Sequence, residues 1–174
     1  MTPDPIYPSR IVCLTEETTE TLYLLGEGDR VVGVSGYTVR PPEARQKPRV
    51  YFEEWDDPLI SGIQWVEELV EIAGGDPIFP ELRYAKLAKD RIVQPDEVVR
   101  RAPDVIVASW CGKAVRKEKI ASRAGWDALP AIRDGRLYEI KSAFILQPGP
   151  GSLTDGVRQL HEILAGTAAA LSGG

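Results

Sequence analysis

Apolar and polar positions along this chain repeat with two periods, and the switches between them set out alternating strands and helices. Residues 10–14 (RIVCL) read as a short apolar strand, and Thr15 with Glu16 and Glu17 then opens a helix whose first turn carries acids where the helix dipole favours them. Gly26 and Gly28 close that helix near residue 25, and 30–34 (RVVGV) supplies a second strand, giving a βαβ unit with a right-handed crossover expected. Gly36, Tyr37, Pro41 and Pro42 make a loop. A third strand runs from 49 to 53, where Val50, Tyr51 and Phe52 form its apolar end and Pro58 is expected to halt pairing.

A helix follows over 63–73, with Val66, Leu69, Val70 and Ala73 inward, Glu67, Glu68 and Glu71 in water, and Gly74 and Gly75 as its stop. Residues 76–94 are rich in turns, although Ile92 and Val93 are able to pair briefly. Pro95, Asp96 and Glu97 open a helix to 101, and VIVA at 105–108 is a fully buried strand by its unbroken apolar run. A helix over 117–123, a strand over 136–140 (RLYEI) and a final helix with Leu153, Val157, Leu160 and Leu164 on one face complete the pattern, before a frayed tail at AAALSGG. Strands alternating with helices at this spacing predict an α/β fold, a three-layer, Rossmann-like, mostly parallel sheet.

Composition narrows the function. With 174 residues and 43% apolar content the chain is one ordinary domain or one domain with an incomplete second lobe. A net charge of −5, with basic residues interspersed among acids, argues against nucleic acid. The nearest basic patch, Lys113, Arg116, Lys117, Lys119 and Arg123, reads as a solvated helix face. Cys13 and Cys111 form no CxxC pair, which fits a reducing compartment, and His161 has no second ligand nearby. No apolar run reaches the roughly 20 residues of a membrane span, and the opening MTPDPIYPSR lacks the pattern of a signal peptide, so the chain as written is expected in the cytoplasm.

Candidate chemistry centres on YFEEWDDPLISGIQWVEELVEIAGG, residues 51–75, where Glu53, Glu54, Trp55, Asp56 and Asp57 follow an apolar strand end. Ligands of open α/β sheets bind past the carboxyl ends of strands. The cluster admits three readings: a carboxylate pair or cation site, acids that solvate a loop while Trp55 covers the core, or a rim whose Trp55 stacks on a flat ligand. The last suits an aromatic beside acids, and no second acid–base constellation completes a catalytic site. Trp110 and Cys111 past VIVA, and Phe144 past the last strand, are expected on the same rim. The GEG at 26–28 follows a helix rather than opening one, against a phosphate cradle; QPGPGS at 147–152 is a rigid turn or an anion site at a helix start.

The stretches SRIVCLTEETTETLYLLGEGDRVVGVSGYTVRPPEA, YFEEWDDPLISGIQWVEELVEIAGGDPIF and QPDEVVRRAPDVIVAS resemble the periplasmic binding proteins of cobalamin and iron-siderophore ABC importers, nearest the cobalamin-binding branch. The resemblance implies two Rossmann-like lobes with ligand between them, and a periplasmic or lipid-anchored protein without enzymatic activity or required cofactor. It implies ligand positions at Tyr37, Trp55 and Leu59, with Phe144 near another, cobalamin or a related corrinoid as ligand, and Glu97 as the residue that docks on an ABC permease; Trp110 joins the ligand-binding set from its place past the VIVA strand. Between Pro42 and Val50 the chain departs from the pattern: most of the first lobe and the linking helix are missing. The expected organisation is an abridged βαβ lobe over 9–48, a full lobe over 49–166 and a flexible tail over 167–174. Because so small a βαβ piece cannot bury a core alone, a homodimer is expected.

Overall fold

The computed structural model describes residues 8, 10–35, 38, 40, 41 and 47–172. The chain divides into two compact units, residues 1–46 with 169–174, and residues 47–168.

In the first unit, β1 (Ile11–Cys13), α1 (Glu16–Leu24) and β2 (Val31–Val34) form the expected βαβ arrangement, with β1 and β2 parallel and Cys13 opposite Val34. The Thr15 carbonyl accepts from the hydroxyls of Thr18 and Thr19, which ties down the start of α1.

In the second unit the sheet is built on β3 (Arg49–Asp56) and β6 (Val105–Ala108), paired in parallel from Val50–Val105 to Glu53–Ala108, with β7 (Leu137–Glu139) parallel on the far side of β6. The other edge of β3 is shared. Near its start it takes β5 (Asp76–Pro77) in parallel, and near its end β4 (Leu59–Ser61) folds back antiparallel through a cis Asp57–Pro58 bond. Pro58 therefore sits in a hairpin turn, and β3 runs three residues beyond the strand end expected from the sequence.

Alternation along the two central strands builds both faces. Val50, Phe52, Val105 and Val107 point to one side, where α2 (Gln64–Ile72), α6 (Ser142–Ile145) and α7 (Val157–Ser172) contribute Val66, Leu69, Val70, Ile145, Leu160 and Leu164. Tyr51, Ile106 and Ala108 point to the other, covered by Val98 of α3 (Pro95–Arg101), Ile120 of α4 (Lys117–Ala121) and Ala131 of α5 (Pro130–Arg133), with Phe79, Trp110, Trp126 and Leu129. The result is a mixed α/β sheet dominated by parallel pairs, with helices on both faces. A side chain at Gly75 would place its Cβ 2.6 Å from Val50 and 2.9 Å from Val70, so the glycine after α2 is there for close approach as well as for stopping the helix.

Two expectations need correction, and one open choice is decided. Leu153 is exposed, because residues 152–156 form a π-type turn that rotates the face of the last helix; Leu160 and Leu164 carry its burial. The AAALS segment is not frayed but continues α7 to Ser172. QPGPGS is a turn: the Ser152 amide and hydroxyl both donate to the Gly149 carbonyl.

Candidate functional site at the carboxyl ends of the central strands

Parallel pairing of β3 with β6 brings Glu53–Asp57 beside residues 109–123, and the acids meet the chain's own cations there. Glu53, with no solvent exposure, accepts from both terminal nitrogens of Arg123 and, at 3.1 Å, from the indole N–H of Trp110. Burial raises its carboxyl above the ordinary range, and Arg123 and Trp110 oppose the rise. Glu54 accepts from Arg91 at 2.6 Å and from the amide of Ile63 at 3.0 Å. Asp56 receives Lys113 at 2.5 Å and Lys119 at 2.6 Å on its two oxygens. Burial pushes the Asp56 carboxyl up, but the two ammonium groups outweigh it and leave it below the usual range. Three acids of the rim expected from the sequence, Glu53, Glu54 and Asp56, thus form an inward-facing set of ion pairs while Asp57 stays exposed, and three cations of the patch read as a solvated face are among their partners.

Trp55 lies at the end of β3, partly buried against the core, with its indole N–H donating to the Asp57 carbonyl at 3.0 Å. The ammonium of Lys113 sits 4.0 Å from the centre of the Trp55 ring and 4.9 Å from that of Trp110, a pair of cation–π contacts anchored by Asp56. Trp55 and Trp110 are therefore brought together, through one lysine. Trp110, only 2% exposed, belongs to the core instead of a rim, because the Glu53 carboxylate draws its indole inward. Leu59 is likewise buried, since the β4 hairpin returns it under the sheet edge. Phe144, on α6, is 40% exposed, and among the described residues it makes no ring contact with either tryptophan. Tyr37 lies outside the described residues.

Glu97, in the first turn of α3, accepts from Arg100 at 2.7 Å and from Arg101 at 2.6 Å, and these guanidinium groups hold its carboxyl down to about 2. Arg101 continues to Glu81 at 2.6 Å and lies over the Phe79 ring. The surface at Glu97 is a charge-paired array, not a bare anion.

One ionisable group escaped the sequence reading. Glu67, expected in water, is 4% exposed, and burial pushes its carboxyl up to about 8 against the pull of the Gly62 amide, Arg83 and Arg91. A Cβ at Gly62 would lie 2.4 Å from its Oε1, so that position has no room for a side chain. The signal was present: Ile63, Val66, Glu67 and Val70 follow the i, i+3, i+4, i+7 spacing of one inward stripe.

Among the described residues no three His, Cys, Asp or Glu side chains are placed to hold a metal ion, and no helix is long and apolar enough to cross a membrane. A groove of about 580 Å³ in the first unit is lined by apolar side chains, among them Ile11, Val12, Leu14 and Leu22, together with Glu17 and Thr18.

Compared with known proteins, residues 42–144 match the family model described as periplasmic binding protein. The chain belongs to the periplasmic binding protein family. Among solved structures, an ABC transporter substrate-binding protein from Listeria monocytogenes EGD-e aligns with a TM-score of 0.58 and 15% identity, over 68% of this chain and 48% of that one. The periplasmic vitamin B12 binding protein BtuF of Vibrio cholerae aligns with a TM-score of 0.53 and 18% identity, over 92% of this chain and 98% of that one. The periplasmic heme-binding protein BhuT, in complex with two hemes, aligns with a TM-score of 0.56 and 23% identity, over 73% of this chain and 47% of that one. This chain spans about half the length of the Listeria protein and of BhuT. No curated protein sequence matches. The likeness to these structures carries the fold of this family.

Proposed function

We propose that this chain is a non-enzymatic binding protein for a flat ligand, cobalamin or a related corrinoid or another planar metal chelate, working with an ABC importer. The observation that carries the reading is Trp55: a partly open indole at the carboxyl end of the central strand, where α/β sheets take ligands, fixed by its bond to the Asp57 carbonyl. Stacking on that ring is the main contact, and no bond is made or broken. The relatives named for vitamin B12 and for heme support the ligand class. The buried Leu59 and Trp110 act here as the floor beneath Trp55, and the acids as a rigid frame that holds its cations in place. The permease contact is assigned to α3 around Glu97, whose carboxylate stays ionised while bound by Arg100 and Arg101. A homodimer as the source of the second ligand wall rests on the shortened first lobe of the sequence.

The test is a titration of the protein with cyanocobalamin and with hemin, followed by tryptophan fluorescence and calorimetry. Saturable quenching with one of the two is the expected result, weakened about 5- to 150-fold in Trp55→Ala, as for a stacking contact of about 1 to 3 kcal/mol. Absence of heat and quenching with both ligands leaves the fold as an interaction module without ligand and defeats the proposal.

A further inference from the structure

The charges at this edge are arranged opposite to their order in the sequence. The acids Glu53 and Asp56 are buried, while the side chains of their neighbours Lys113 and Lys119 are each about 40% exposed, and Lys113 lies over Trp55. We infer that the ligand taken here carries acidic groups at the rim of its ring, and that Lys113 is the residue that reads them. This inference rests on the flat-ligand reading above.

The site holds one positive charge more than its buried carboxylate requires. Asp56 is a single carboxylate and needs one counter-ion; it has two, one on each oxygen. Removing the sole partner of a buried charge is strongly unfavourable, because the charge left behind has lost both water and its ion pair. With Lys119 in place that situation does not arise when Lys113 leaves. Lys113 can therefore be lent to a ligand, and its position makes it the one that is met: its ammonium lies over the Trp55 ring itself, so a ring stacking there arrives within reach of it. A carboxylate at the ligand's edge takes the place of Asp56 Oδ1 as acceptor, so Lys113 keeps an anionic partner and the spare positive charge of the site is matched. A neutral or cationic ring displaces the same ammonium and gives nothing in exchange. Arg116 and Lys117, both exposed on the same segment, add to the positive field, against the exposed acids Asp57 and Glu118.

The experiment compares protoporphyrin IX, with two free carboxylates, and its dimethyl ester, the same ring with neutral edges, both in dilute non-ionic detergent. Binding is read by tryptophan quenching and porphyrin absorbance. The free acid is expected to bind the wild-type chain at least about 10-fold more tightly than the ester, with a preference that shrinks as salt rises. Lys113→Gln should abolish the preference. Lys119→Gln should weaken free-acid binding as well, because Asp56 then retains Lys113 as its last partner. Unchanged thermal unfolding of Lys113→Gln shows that the loss is local. Equal affinity for acid and ester, or a preference that survives Lys113→Gln, overturns this inference and leaves the flat-ligand reading standing. Failure of the wild-type chain to bind either porphyrin or cyanocobalamin overturns both.

Discussion

The ion pair between Glu53 and Arg123 is the part of the site whose energetics can be worked from the structure. Glu53 has no exposed surface, and its carboxylate is satisfied by Arg123 and by the Trp110 indole. Replacing Arg123 by Met keeps the apolar contact with Trp126, 4.5 Å below the guanidinium, but leaves a buried carboxylate with one neutral donor. Breaking a buried pair in this way costs about 3 to 5 kcal/mol, a large part of the roughly 5 to 15 kcal/mol that holds a domain together. For a chain of this size each kcal/mol lowers the melting temperature by about 2 to 4 °C, so the variant should melt about 6 to 20 °C lower. The sign of the pH dependence follows. Burial has already raised the Glu53 carboxyl, and losing Arg123 raises it further. A carboxyl with a raised folded-state pKa contributes stability below its unfolded value, and that contribution is lost as pH rises through the folded value. The deficit of Arg123→Met should therefore shrink between pH 7 and pH 5. Glu53→Gln in the same background removes the buried charge and should recover stability, a coupling of about 1 to 3 kcal/mol in a double-mutant cycle. Urea unfolding of the four proteins at both pH values is the assay. A deficit below about 1 kcal/mol, or one that does not change with pH, would refute the buried-pair account.

Other outcomes follow from neighbouring features. Moving the Glu67 carboxyl from its ordinary 4.5 up to about 8 means that stability falls by about 3 to 5 kcal/mol as pH rises from about 5 to above 8. Glu67→Gln should flatten that slope and be the more stable protein at pH 9; denaturation curves that superimpose for the two at every pH would contradict it. Ala102 ends α3 in the left-handed region, at φ 44°, without being glycine, so Ala102→Gly should stabilise by about 1 kcal/mol, measured as a higher urea midpoint at unchanged slope. Gly62→Ala drives a Cβ onto the Glu67 carboxyl and should lower the melting temperature by several degrees, an effect largely relieved in a Glu67→Ala background.

The layers of this fold are written in its pattern. Continuous apolar runs at 50–52 and 105–108, each followed or preceded by a stripe at helical spacing, are sufficient to place two buried parallel strands between helices, because both faces of such a strand must be apolar. What the pattern cannot show is partnership across the sheet. Glu53, Glu54, Asp56 and Asp57 look like a loop because acids rarely continue a strand, yet β3 runs through Asp56. Their partners Lys113, Lys119 and Arg123 stand 57 to 70 residues later, and Arg91 stands 37 residues from Glu54. One clue was available: parallel neighbours bring their carboxyl ends together, so four acids after one strand and five cations after the next are natural counter-ions. Trp55 is legible as a site candidate for its place on the strand, whereas Trp110 and Leu59 are not distinguishable in sequence from rim residues, since only the register of β3 with β4 and β6 decides which way they turn.

The central claim is that a flat ligand is received on Trp55, and fluorine NMR of protein labelled with 5-fluorotryptophan tests it most directly. The chain holds four tryptophans, at 55, 65, 110 and 126, and Trp126 is fully buried in the core. With a saturating planar chelate, the resonance assigned to Trp55 by its loss in Trp55→Phe should shift most, Trp110 should follow weakly through Lys113, and Trp126 should stay in place. A Trp55 resonance that does not move while the ligand is demonstrably bound would contradict the account.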